Sequence, residues 1–219
     1  MNILITGCSS GLGYELAKIH VNRGDNVFGI SRSLVNIPLK GFLQVDFKED
    51  NAYNKIREAT FLRYNSFDRL YLNAGELGPI KPISETTSEE IFDIIKSSFL
   101  GNKQVLDELV KNNNVKRVCI TSSGAAEKAY EGFSLYCMVK AMNVQLMRCY
   151  QKEHQGIVFD CLNPGPFESK MQTEIQDFDG SLFPSLGKFH RIKDELPTTE
   201  DTAQWFIRSL ESPEKQDSV

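Results

Sequence analysis

The chain has 219 residues, of which 41% are hydrophobic and 25% charged, and its formal net charge is −4. That length suits one domain spanning 1–219, and the apolar share can fill a core. The acidic balance excludes a nucleic-acid surface, which needs a basic patch, and no apolar run is long enough to cross a membrane.

The predicted elements alternate. NILIT (2–6) is a short strand, LGYELAKIHVNRG (12–24) a helix stopped by Gly24, and NVFGIS (26–31) a second strand. GFLQVDF (41–47) is a third strand, and DNAYNKIREATFLRY (50–64) reads as one helix. DRLYLNAG (68–75) is a strand closed by a glycine turn. The stretch 86–112 reads as a long helix opened by a capping box, Thr87 with Glu90. VKRVCITSS (115–123) is a strand, 133–156 a helix, IVFDCLNPG (157–165) the last clear strand, and 198–211 a final helix. Strands separated by helices of this length are parallel and joined by right-handed crossovers, which predicts an α/β doubly wound sheet. Ligands in such sheets bind beyond the carboxyl ends of the strands. The residues to read for function are therefore Thr6–Gly13, Ser31–Arg32, Asp46, Asn73–Gly75, Ser122–Ser123 and Asn163–Gly165.

Five cysteines (Cys8, Cys119, Cys137, Cys149, Cys161) form no C-x-x-C pair. They read as free thiols in a reducing cytosol, so a cytoplasmic location is expected. The start MNILITG has no basic n-region, so no signal peptide is expected. The histidines His20, His154 and His190 lack metal-ligand spacing, so no metal site is expected.

The turn ITGCSSGLG (5–13) follows a strand and opens a helix, the context in which glycines let backbone approach a pyrophosphate. At the end of the second strand, Ile30-Ser31-Arg32 carries no carboxylate to bond a ribose 2′-hydroxyl. Arg32 can instead pair a 2′-phosphate, which favours NADP(H). Tyr136 and Lys140 stand four apart and so share one helix face. A nearby ammonium lowers a phenol's pKa, so the pair makes an acid/base device.

These motifs occur in one order: Thr6-Gly7-x-x-x-Gly11-x-Gly13, Asn73-Ala74-Gly75, Ser123, Tyr136-x-x-x-Lys140 and Asn163-Pro164-Gly165. The set resembles the single-domain branch of the short-chain dehydrogenase/reductase family, from residue 2 to about residue 171. The resemblance implies a Rossmann-type sheet of order 3-2-1-4-5-6 and an oxidoreductase that moves a hydride between NADP(H) and a small carbonyl or secondary alcohol. It implies that Gly7, Ser9, Ser10, Gly11, Leu12 and Gly13 hold the cofactor's phosphates and that Ser31 and Arg32 flank its 2′-phosphate. Asp46 would lie near the adenine, and Asn73, Ala74 and Gly75 would line the cofactor. Pro164, Gly165, Phe167 and Ser169 would surround the nicotinamide end. Tyr136 would donate the proton, Lys140 would bond the ribose and tune Tyr136, and Ser123 would orient the substrate oxygen.

Two positions depart from the family pattern. Ser98 stands where the family has an asparagine that joins a proton relay to the lysine. The chain also ends EKQDSV, polar and strandless, so a seventh strand is not expected. Without that last region a homodimer through the two long helices (about 88–112 and 134–154) is the expected assembly. The segment 167–197, with Phe167, Phe178, Phe183 and Phe189, is expected to form a substrate-side lid, either as an apolar wall or as a local aromatic core. Two other readings stay open. One is a catalytically weak or inactive NADP(H)-binding sensor or scaffold of the same fold. The other is a sugar-nucleotide epimerase or dehydratase, against which the glycine spacing and short length speak.

Overall fold

The computed structural model describes residues 1–179, 182–192 and 195–211. Among them, six parallel strands form one sheet in the order β3-β2-β1-β4-β5-β6. They are β1 (Asn2–Thr6), β2 (Asn26–Ser31), β3 (Gly41–Gln44), β4 (Arg69–Leu72), β5 (Arg117–Thr121) and β6 (Val158–Leu162). The tail 214–219, and with it the expectation about a seventh strand, lies outside the described residues.

Alternation along the strands sorts side chains to two faces. Leu4, Leu70, Leu72, Val118 and Ile120 point to one core. It is closed by α2 (Ala52–Glu58), α3 (Thr60–Tyr64), α5 (Gly101–Lys111) and α6 (Ser134–Glu153). Ile3, Ile5, Tyr71 and Cys119 point to the other, where Leu16 of α1 (Gly11–Asn22) and Phe206 of α9 (Thr199–Glu211) cover them. Both faces are dry, which is why the strands read as nearly unbroken apolar runs.

The helix expected over 50–64 is in fact two, because Ala59 adopts an extended backbone (φ −66°, ψ 100°) between α2 and α3. The long helix over 86–112 begins with the capping box as expected, and runs as α4 (Ser88–Ile95), a π turn (Lys96–Leu100) and α5. Segment 167–197 is not a plain loop: it carries α7 (Lys170–Asp177) and α8 (Gly187–Arg191).

At the edge of the sheet where the strands begin, His20 is fully buried between α1 and β4. Its Nδ1 lies 2.7 Å from Asp25 and its Nε2 3.0 Å from the Tyr71 hydroxyl, which accepts from Arg69. Burial keeps this histidine below its ordinary pKa, so Nδ1–H donates to the Asp25 carboxylate. The Met1 ammonium also donates to Asp25, at 2.7 Å. On the same edge Arg117 clamps Asp160 through two nitrogens and donates to the Leu210 carbonyl, tying α9 to β5 and β6. All five cysteines are free thiols, and no helix among the described residues is long and apolar enough to cross a membrane.

Candidate active site

The glycine turn is built by contact rather than by flexibility alone. Gly7 has φ +69° and its α-carbon faces Ala74, where an added Cβ would stand 2.8 Å from the Ala74 Cα. A Cβ on Gly13 would stand 2.2 Å from the Gly7 carbonyl oxygen and 2.6 Å from Asn73 Nδ2. Real atoms do not approach so closely, so these two sites need glycine. Ser10 occupies the N-cap of α1 without a side-chain cap bond, so its hydroxyl leaves the first-turn N–H groups uncapped. Backbone donors and a helix N-terminus beside a glycine-rich turn can make an anion cradle. Ser9 is half-buried and Gly11 exposed at its rim, whereas the Leu12 side chain is core and only its backbone faces the turn.

Below the turn sits a polar knot that sequence reading missed. Thr6 Oγ1 donates to Asn102 Oδ1 at 2.8 Å and accepts the N–H groups of Asn73 and Ala74, both at 3.0 Å. Asn102 Nδ2 donates to the Ala74 carbonyl at 2.7 Å, and Thr121 Oγ1 donates to Asn73 Oδ1 at 3.1 Å. Every bond here pins the Asn73-Ala74-Gly75 turn against β1 and β5. The one available clue was Asn102, a polar residue in the apolar stripe of the long helix.

The end of β5 and the first turns of α6 bring Ser123, Tyr136 and Lys140 together. Tyr136 shares a hydrogen bond with Ser123, which lowers its pKa. Burial outweighs that bond and holds the phenol above its ordinary range. Lys140 is 8% exposed, donates to the Thr121 carbonyl at 2.6 Å and lies 5.4 Å from the Tyr136 ring centroid. Burial holds its ammonium down to about 8. The lowering expected from a nearby ammonium is therefore not the dominant influence on Tyr136: desolvation of the phenol is the larger effect.

At the opposite edge Arg32 is exposed, and its Nη1 stands 3.9 Å from Asp46 Oδ2. The carboxylate absent from the end of β2 is therefore supplied by the end of β3. Ser31 is buried, and its hydroxyl donates to the Ser33 carbonyl at 2.7 Å. A cavity of about 420 Å³ opens here between Arg32, Gln44, Val45, Asp46, Glu49 and Lys55.

Comparison with known proteins decides the family. Residues 1–180 match the short chain dehydrogenase family. The chain belongs to that family. This short chain dehydrogenase is 28% identical over 199 residues to the benzil reductase ((S)-benzoin forming) IRC24 of Saccharomyces cerevisiae, covering 80% of its own length and 74% of the relative's. It is 26% identical over 235 residues to the benzil reductase ((S)-benzoin forming) of Bacillus cereus, covering 97% and 94%. Among solved structures, the KRED1-Pglu enzyme superposes with a TM-score of 0.82 at 20% identity, over 94% of this chain and 93% of that one. A Shigella flexneri short chain dehydrogenase complexed with NADP superposes with a TM-score of 0.75 at 19% identity, over 91% and 86%.

The dehydrogenase places the remaining expected residues unevenly. Gly165, with φ +70°, donates its N–H to Asn163 Oδ1 at 3.0 Å and so turns the chain, at Pro164, out of β6. The Ser169 hydroxyl accepts from the Gln172 N–H at 3.1 Å and caps α7. Phe167 does not join the aromatic cluster of its segment; it packs against the α1 and α9 core. The other phenylalanines do cluster: Phe178 stacks on Phe183, and Phe189 meets Tyr130 and Phe133. Phe133 in turn contacts the Tyr136 ring at 6.4 Å. The segment is thus a local aromatic core whose edge reaches Tyr136. Residues 180, 181, 193 and 194 of it lie outside the described residues.

Proposed function

We propose that this dehydrogenase is an NADP(H)-dependent carbonyl reductase, with Tyr136 as the proton donor to the substrate oxygen. The observation that carries the reading is the meeting of Ser123, Tyr136 and Lys140 beside the glycine turn. Hydride transfer is the chemistry a bound nicotinamide supplies. The chain supplies a cradle at Gly7–Gly13, a donor hydroxyl at Tyr136, and Ser123 to fix the oxygen that receives the proton. Lys140 stands close enough to favour the phenolate that remains. Arg32 supports preference for the 2′-phosphate, because an arginine pairs a phosphate with two parallel bonds. The aromatic edge at Phe133, Tyr130 and Phe189, together with relatives that are benzil reductases, favours an aromatic ketone or diketone as substrate.

The proposed assembly is a homodimer through the α4–α5 and α6 faces, where Phe92, Leu100 and Met138 are exposed. The test of the activity is NADPH oxidation with benzil and a panel of carbonyl compounds, run beside fluorescence titrations with NADPH and NADH. Tyr136→Phe should lower turnover by about a hundredfold while leaving NADPH binding intact. Cofactor binding with no turnover across the panel would instead favour a sensor or scaffold.

A further inference from the structure

We infer that the substrate of this dehydrogenase carries a carboxylate, and that the Lys188 ammonium receives it, with Tyr130 holding Lys188 in place. The inference deepens the reading of the site as a reductase of aromatic carbonyls and rests on it. Lys188 lies on α8 and is half-buried. Its Nζ donates to the Tyr130 hydroxyl at 2.8 Å. The same Nζ stands 4.1 Å from the centroid of the Tyr130 ring and 4.8 Å from that of Phe189. Ring faces attract a cation and shed water from it. An ammonium has three protons to give, and Tyr130 takes one. Among the described residues no carboxylate pairs with Lys188. Glu131, the acid next to Tyr130 in the chain, accepts the Ser185 N–H at 3.3 Å instead. A cation flanked by two rings and left without a counter-ion is best answered by an anionic oxygen acceptor.

Packing fixes where this ammonium stands. The Glu131 N–H donates to Ser185 Oγ at 3.2 Å. Gly132, with φ +79°, lies so close to Phe183 that an added Cβ would stand 2.8 Å from the ring. The stretch 130–133 is thereby joined to the turn that opens α8. Tyr130 also faces the reacting groups: a Cβ built on Gly124, the residue after Ser123, would lie 3.7 Å from the Tyr130 hydroxyl. On its other side Phe133 meets both Tyr130 and Tyr136 edge to face, with ring centroids 6.4 Å apart in each pair. The hydroxyls of Ser123 and Tyr136 thus stand at one end of an aromatic wall and the Lys188 ammonium at the other. The molecule that matches is an aromatic aldehyde or ketone with its carbonyl on one side of the ring and a carboxylate across it. Its carbonyl meets Ser123 and Tyr136, its ring lies along Phe133 and Tyr130, and its carboxylate accepts from the protons that Lys188 has left. Lys188 binds a group that does not react, and Tyr130 is a positioning residue.

Steady-state kinetics of the full chain with NADPH decide it. The probes are 4-carboxybenzaldehyde and 3-carboxybenzaldehyde, each beside its uncharged methyl ester. The readout is the ratio of kcat/KM for acid over ester, which cancels any general loss of activity. In Lys188→Met, which keeps the apolar stem, that ratio should fall about tenfold for one or both isomers, through a higher KM for the acid. Lys188→Arg should keep most of the ratio, and Lys188→Glu should lower it further than Lys188→Met. A Lys188 that only props α8 on its neighbours would lose acid and ester alike and lower the melting temperature. A ratio in Lys188→Met that equals the parent's for both isomers, beside a disabled Tyr136→Phe, overturns this inference alone. Parent-like turnover in Tyr136→Phe overturns the reading of the site on which it rests.

Discussion

Burial moves the Lys140 ammonium down to about 8 and the Tyr136 phenol up from its ordinary value, across a single turn of α6. A lysine with a lowered folded pKa destabilises the fold while it is charged. The unfolded chain binds that proton more tightly between pH 8 and the ordinary 10.5, so stability from this group rises with pH across that window. Lys140→Met removes the buried charge and orphans only the Thr121 carbonyl, which costs about 1–3 kcal/mol. The variant should be at least as stable as the parent at pH 7, with the gap shifting in the parent's favour by pH 10; denaturant titrations at the two pH values check this. At the cofactor edge, Arg32→Ala should weaken NADPH at least tenfold, about 1.4 kcal/mol, and NADH little, as read by fluorescence titration. An equal loss for both would remove Arg32 from the 2′-phosphate. The meeting of Tyr136 and Lys140 was legible in the sequence, because a spacing of four sets two side chains on one helix face. The roles of Asn102 and Thr121 were not, because they come from facing elements far away along the chain, as Thr6 faces Asn102.

Among the elements, the strands and the helix-opening turn were legible because hydrophobic period and glycine placement are local signals, while the order of strands in the sheet came from the family resemblance. The break at Ala59 was not, since alanine favours helix and only packing of α2 and α3 onto the sheet opposes it. The π turn in the central helix was equally silent. It gathers Ser97 and Ser98 at the floor of the site while α4 and α5 continue on either side. The junction of β1 with α1 makes the sharpest demand on residue type. Gly13→Ala places a methyl group into the Gly7 carbonyl and the Asn73 side chain, and overpacking of this kind costs about 1–3 kcal/mol. The variant should melt several degrees lower and bind NADPH poorly. A parent-like melting temperature would show that the turn relaxes around the added carbon. Gly11→Ala meets no neighbouring atom, and its cost is confined to backbone strain at φ +54°.

For the whole molecule, apolar side chains on the α4 and α6 side remain uncovered, with Phe92 64% exposed. If that face is a dimer interface, Phe92→Glu should shift the sedimenting species to half the parent mass without lowering the melting temperature of the dilute protein. A parent of monomer mass would remove the dimer. The opposite edge of the sheet has a different consequence. Met1 is held at Asp25, and α9 ends beside the Arg117 clamp on Leu210. Both places lie where the strands begin, while Ser123 and the glycine turn lie where they end. One length of β5, about 17 Å, separates the two sides. Anchoring the protein to a bead or electrode through either place would turn the proposed active site towards the solution. Substrate would then reach an immobilised layer unobstructed.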